Sequence, residues 1–225
     1  MWDALCLLFN CFSGLACIGL LVSPLGVLVW DRLQAGFKGG RFVREHEAEL
    51  ANPQNAEARY RLAAIYADSW RRGRAEFYIA EAVRLAAESP LYEGVPYRFL
   101  RLYGDILRRR GRHDEAIRAY ETAMDRPSDL GHEETCFGMG RAHQKQARPD
   151  EALRWFRRAR EENGSRLETY FRIAQCCAVL GDDDGVREAE SEFDRTLDDL
   201  PRDSRRSSTR WRLAFRLFPL ARRFA

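Results

Sequence analysis

Two places in this chain carry residue types that could hold a metal ion. In Gly181-Asp182-Asp183-Asp184-Gly185, three carboxylates stand between two glycines, a composition suited to a hard cation such as calcium. The spacing argues otherwise. With Gly185 as the sixth loop residue, Leu180 falls at the first position and Ser191 at the twelfth, where a calcium loop needs carboxylate oxygens. The run reads instead as a turn between two helices whose Asp caps the second one. His132, Cys136 and His143 are a looser nitrogen and sulfur donor set, but Cys136 and His143 coincide with packing positions of the periodicity described below.

The remaining cysteines add no chemistry of their own. Cys6, Cys11 and Cys17 sit in one apolar run, and Cys176 and Cys177 are adjacent. No C-x-x-C pair occurs, so neither a zinc ribbon nor a thioredoxin-type redox motif is supported, and buried reduced thiols are expected. H-E-x-x-H, G-x-S-x-G, a phosphate-binding glycine loop and a dinucleotide fingerprint are all missing. The expectation is a non-enzyme with no cofactor and no metal.

The elements that would position these side chains are set by an internal repeat. Leu100, Tyr103, Gly104, Leu107, Gly111, Ala116, Tyr120 and Ala123 form one unit, closed by Pro127. Cys136, Met139, Gly140, His143, Ala147, Ala152, Phe156 and Ala159 repeat it, followed by Tyr170, Ile173, Ala174, Cys177 and Gly181. An earlier copy runs through Leu62, Ala63, Tyr66, Ala75, Ile79 and Ala82. The small residues Ala63, Gly104, Gly140 and Ala174 are 41, 36 and 34 residues apart. The longest interval contains Ser89-Pro90-Leu91-Tyr92-Glu93-Gly94-Val95-Pro96, a lengthened connection.

This pattern resembles the tetratricopeptide repeat, a helix-turn-helix of 34 residues. The resemblance covers residues 52–199 and implies an all-α solenoid of about four repeats. Small residues at positions eight and twenty let the paired helices approach, and larger ones at four, seven, eleven and twenty-four fill the space between them. The fourth copy places Val186, Glu190 and Phe193 where Ala, a large apolar residue and Ala are usual. It therefore reads as a capping helix with one solvated face.

In the family, positions two, five, nine, twelve and thirteen line a groove for partner peptides. The second repeat places Arg98, Arg101, Asp105, Arg108 and Arg109 there, and the third Glu134, Phe137, Arg141, Gln144 and Lys145. The resemblance thus implies a basic groove that receives an acidic peptide or carboxyl terminus through arginine forks. The Lys and Asn pattern of the family's carboxylate clamp is not matched. Solvated helix surface is the plainer reading of the same arginines, in a chain with 35 Arg and 2 Lys.

Charge divides the chain into segments. Residues 1–44 carry +2, residues 45–201 carry −6, and Arg202–Ala225 carry +7, which together give the chain's +3. Ala4 to Trp30 hold no charged side chain, more than the roughly 20 apolar residues that cross a bilayer as a helix. Residues 1–31 are expected to be a transmembrane anchor and 32–51 a juxtamembrane linker or helix. Asp3 precedes the run, whereas Arg32, Lys38, Arg41 and Arg44 follow it. That bias places the N-terminus outside and the repeats in the cytoplasm.

Residues 200–225 read as a basic amphipathic tail, with Arg210, Trp211, Arg212, Phe215, Arg216 and Phe218 as candidates for contact with an anionic membrane. Docking on the last repeat as a cap is the competing reading. Nucleic acid is an unfavoured partner because residues 45–201 are acidic. The expected function is a membrane-anchored cytoplasmic scaffold for protein–protein interaction, with a regulatory adaptor of a membrane enzyme or protease as the alternative. The arrangement is also similar to that of the bacterial lipopolysaccharide assembly protein B family, whose C-terminal metal domain with paired C-x-x-C motifs has no counterpart here.

Overall fold

The computed structural model describes residues 41, 43–46, 49, 51–52, 54–68, 72–128, 131–200, 209 and 211–215. The expected anchor of residues 1–31 lies outside them, as do Arg210, Arg216 and Phe218 of the tail. Among the described residues no helix is long and apolar enough to cross a membrane. The chain divides into two compact units at Gly94, inside the lengthened connection noted in the sequence.

The first unit contains a helical hairpin, α1 (Ala56–Ala67) and α2 (Arg72–Glu88). Asn55 starts α1 by accepting a hydrogen bond from the backbone amide of Ala58 at 3.0 Å. Ala63 on α1 and Ala75, Ala82 and Ala86 on α2 are fully buried, so the helices approach closely, and Leu62, Tyr66 and Ile79 fill the seam. Arg59 is also buried. It is balanced by Glu81 at 3.0 Å and donates to the carbonyls of Asn52 and Asn55.

The second unit stacks three hairpins. They are α3 (Tyr97–Arg109) with α4 (His113–Met124), α5 (Glu133–Lys145) with α6 (Pro149–Glu162), and α7 (Leu167–Leu180) with α8 (Asp183–Asp199). The small-residue rule takes physical form at Tyr120. Its ring lies against Gly104 of its own hairpin and Gly138 of the next, where an added Cβ would meet ring atoms at 2.5 Å and 2.6 Å. Phe156 occupies the corresponding place over Gly140. Tyr120 of α4 and Phe156 of α6 are thus each seated in a notch left by glycine, which brings the backbones together.

The turns repeat as closely as the helices. Gly111, Ala147 and Gly181 occupy the same position after the first helix of each hairpin, with φ of 82°, 55° and 76°. The turn requires the left-handed region, which glycine enters freely and alanine does not. After Gly181, the Asp182 side chain accepts from the amide of Gly185 at 2.8 Å. The acidic run is therefore a helix cap, and its first carboxylate is engaged with backbone.

The last repeat has the expected solvated face on α8, where Arg187, Glu188, Asp194 and Arg195 are exposed, and its apolar face is covered. Phe193 and Leu197 of α8 are 2% and 3% exposed, and a helical turn at residues 211–215 lies over this end of the unit. Phe215 sits 4.5 Å from Phe193 and 5.3 Å from Phe171 between ring centroids, and Trp211 sits 5.8 Å from Phe171. The cover is supplied by the tail rather than by α8 itself, because the large Phe193 at a position where alanine is usual leaves apolar surface that α8 cannot hide.

Candidate functional site

The first helices of the three hairpins, α3, α5 and α7, are joined side by side by polar contacts. Arg101 on α3 reaches Glu134 on α5 at 2.7 Å, and Gln144 on α5 donates to Gln175 on α7 at 3.2 Å. These contacts bring most of the sequence-expected groove residues onto one face and show that those residues are not equivalent.

On α3 the charges are largely consumed locally. Arg101 is shared between Glu134 and Asp105, the latter at 3.2 Å. The Asp105 carboxylate also accepts from the Tyr120 hydroxyl at 2.8 Å and from Arg108 at 3.3 Å. The Tyr120 oxygen in turn accepts from Arg108 at 3.3 Å. Burial pushes the Tyr120 phenol far above its usual range, so it remains a neutral donor. Desolvation works against the charge of Arg108, but Tyr120 and Asp105 outweigh it and raise the affinity of the guanidinium for its proton. This closed network joins α3 to α4.

Arg141 on α5 behaves differently. It is half-buried, and among the described residues it makes no hydrogen bond or ion pair. Burial lowers its proton affinity, and the positive charges of Arg108, Arg172 and Arg109 lower it further, with Glu168 opposing them. Arg172 on α7 is held by Glu168 at 2.9 Å and by Gln175 at 3.1 Å. Lys145 is exposed one turn beyond Arg141, and Arg109 is exposed at the end of α3.

Two expected site residues require correction. Phe137 is 6% exposed. It packs against Phe156 at 5.5 Å and lies beneath the Arg166 guanidinium at 4.8 Å, so it belongs to the core under the face. Phe215, expected at a membrane, is 8% exposed and packed on α7 and α8. Trp211 is part-buried beside it, while Arg212 is exposed. Arg98 is exposed with its guanidinium 5.5 Å from the Phe99 ring.

Sequence reading missed Arg172, Glu168 and Gln175. They continue the same register into the fourth repeat, and that continuation was the available signal. Cys136 and His143 are buried on the inner side of α5, and the His132 ring packs edge-on against Tyr97 at 5.1 Å. The three side chains therefore serve separate packing contacts.

Residues 98–161 match the family model of the tetratricopeptide repeat, which covers the second and third repeats. Curated proteins yield no match to the chain. Solved structures resemble it in fold. MamA aligns with a TM-score of 0.60 at 14% identity, over 70% of this chain and 85% of its own. YrrB, described as a tetratricopeptide protein with an unusual peptide-binding site, aligns at 0.54 and 19% identity, over 69% and 74%. PilF of Pseudomonas aeruginosa aligns at 0.57 and 16% identity, over 85% and 98%. The described residues therefore adopt an all-helical, tetratricopeptide-like fold. Repeats of this family generally mediate protein–protein interaction.

Proposed function

We propose that the chain is a membrane-anchored scaffold that holds a partner protein on the face formed by α3, α5 and α7, with an acidic segment of that partner as the bound element. The observation that carries this reading is the polarity of the face. Arg109, Arg141, Lys145 and Arg172 collect there although residues 45–201 are net acidic. An acidic partner is repelled by most of the repeat surface and attracted at this face, which favours one docking geometry over many. The protein acts by binding rather than by catalysis.

The uncharged run from Ala4 to Trp30 and the basic residues after it support a single span with the repeats on the cytoplasmic side. The anchor is tested by carbonate extraction. The full chain should remain with the membrane, and a chain lacking residues 1–31 should be released; release of both removes the anchor from the proposal.

The scaffold role is tested by placing a photo-crosslinking residue at Lys145, and separately at Arg118 on α4, in the full chain in its native membranes. A discrete adduct is expected from Lys145 and is expected to disappear with Arg141→Glu. Equal adducts from both positions, or persistence with Arg141→Glu, would count against this face as the docking surface.

A further inference from the structure

The end of the stack is chemically unlike its interior. Position five of a first helix elsewhere meets the following repeat: Arg101 of α3 reaches Glu134 of α5, and Phe137 of α5 lies beneath Arg166 at the start of α7. On α7 that position is Phe171, with no repeat after it among the described residues. Its neighbour is the tail turn, through Trp211 at 5.8 Å and Phe215 at 5.3 Å. In the same way α8 carries Phe193 where α4 and α6 carry the fully buried Ala123 and Ala159, and Phe215 lies 4.5 Å from it. Trp211 and Phe215 are one turn apart and share a side of their helical turn. Arg212 and Leu213 are exposed, Leu213 by 56%.

Charge sets this end apart as well. Asp182 to Asp199 hold nine carboxylates against two arginines, a net −7, while Arg202–Ala225 carry +7. Arg187 pairs with Asp184 and Arg160 with Glu192, whereas Glu188, Asp194 and Asp199 are exposed. The tail therefore finds aromatic surface and opposite charge in one place, and the two attractions act together. An anionic leaflet offers the same combination. A basic segment rich in Trp and Phe sinks its apolar side toward the acyl boundary while its arginines stay among the phosphates. Trp211 and Phe215 cannot serve both, because the side of the turn that packs on Phe171 and Phe193 is the side a bilayer would take.

We propose that α8 and an anionic lipid surface compete for the tail. Away from such lipid, Trp211 and Phe215 cap the stack; on an anionic leaflet they leave Phe171 and Phe193 uncovered. Membrane charge thereby sets the order of the last repeat. The inference concerns a different surface from the docking face of α3, α5 and α7, and it uses the anchor only to hold the tail near lipid.

The test compares amide exchange of the full chain in nanodiscs of phosphatidylcholine alone and of phosphatidylcholine with phosphatidylglycerol. In the anionic discs α8 should exchange at least threefold faster, with α3 and α4 unchanged. Phe215→Ala should bring α8 to the faster rate in both discs, since its cap is then lost without lipid. Arg210→Gln, Arg212→Gln and Arg216→Gln combined should abolish the difference between discs. A benzophenone side chain in place of Trp211 should crosslink to α7 or α8 in the neutral discs and to lipid in the anionic ones.

Equal exchange of α8 in the two discs, or crosslinks from position 211 to α7 or α8 in both, overturns the competition. Lipid labelling that is independent of phosphatidylglycerol, or a difference that survives the triple arginine variant, overturns it too, because charge would then play no part. Failure of the chain to enter the discs removes the anchor instead, and vesicles of the same two compositions added to the soluble chain then decide the competition by the same exchange.

Discussion

Tyr120 concentrates much of the structural logic at the scale of single residues. Its ring is enclosed by two glycines on different helices, and its hydroxyl is fixed by Asp105 and Arg108. A ring held at both its face and its tip cannot move aside for a new methyl group. Gly104→Ala is therefore expected to destabilise the protein despite the better helix propensity of alanine. Overpacking costs about 1–3 kcal/mol against a propensity gain of up to about 1 kcal/mol, for a net loss of about 1–2 kcal/mol in urea unfolding. A neutral or stabilising effect would mean that Tyr120 is not confined as described. The buried thiols follow the same local logic: burial pushes Cys136 up to about 11 and Cys176 up to about 12, which makes them packing residues with little thiolate at neutral pH.

At the scale of elements, the repeated turn contains its own comparison. Gly111 and Gly181 enter the left-handed region without a Cβ, and Ala147 does so with one. The strain is worth about 1–2 kcal/mol, while glycine recovers about 0.4–1 kcal/mol of freedom when unfolded. Ala147→Gly is thus expected to stabilise the protein by about 0.5–1 kcal/mol, seen as a higher urea midpoint at unchanged slope.

The end of the stack supplies a second prediction at this scale. Phe215→Ala removes the ring that covers Phe193 and Phe171, and losses for buried Phe are about 3–5 kcal/mol in full cores. Because repeats stabilise chiefly their neighbours, amide exchange should accelerate in α8 while α3 and α4 keep their protection. Uniform acceleration through all six helices of the second unit would show that the effect is not local.

For the molecule as a whole, charge is partitioned rather than balanced. A net −6 over residues 45–201 contains a cationic face, and a +7 tail follows it. The sequence posed the tail as either membrane contact or cap. Its described turn serves as cover through Trp211 and Phe215, and the exposed Arg212 points to a division of labour in which aromatic side chains face the repeats and arginine faces outward.

Much of this was legible in the residues alone. Positions eight and twenty-four of each repeat identify Gly104 with Tyr120 and Gly140 with Phe156, because a helical period dictates which side chains meet inside a hairpin. The lengthened connection at Ser89–Pro96 marks where the compact units divide, since prolines and glycine interrupt helix. The uncharged run after Asp3 is likewise a property of composition. Tertiary structure decided which face residues are available. Arg101 and Arg108 are neutralised while Arg141 is not, Phe137 disappears beneath Arg166, and Phe215 turns to Phe193. The cause is physical: local periodicity assigns a residue to a side of its helix and can offer a partner one turn away, as Asp105 is for Arg101 and Arg108, but Tyr120, Glu134 and Arg166 lie on or at the start of other helices and the ring that covers Phe193 lies on the returning tail. Only the packing of those helices brings such groups within reach.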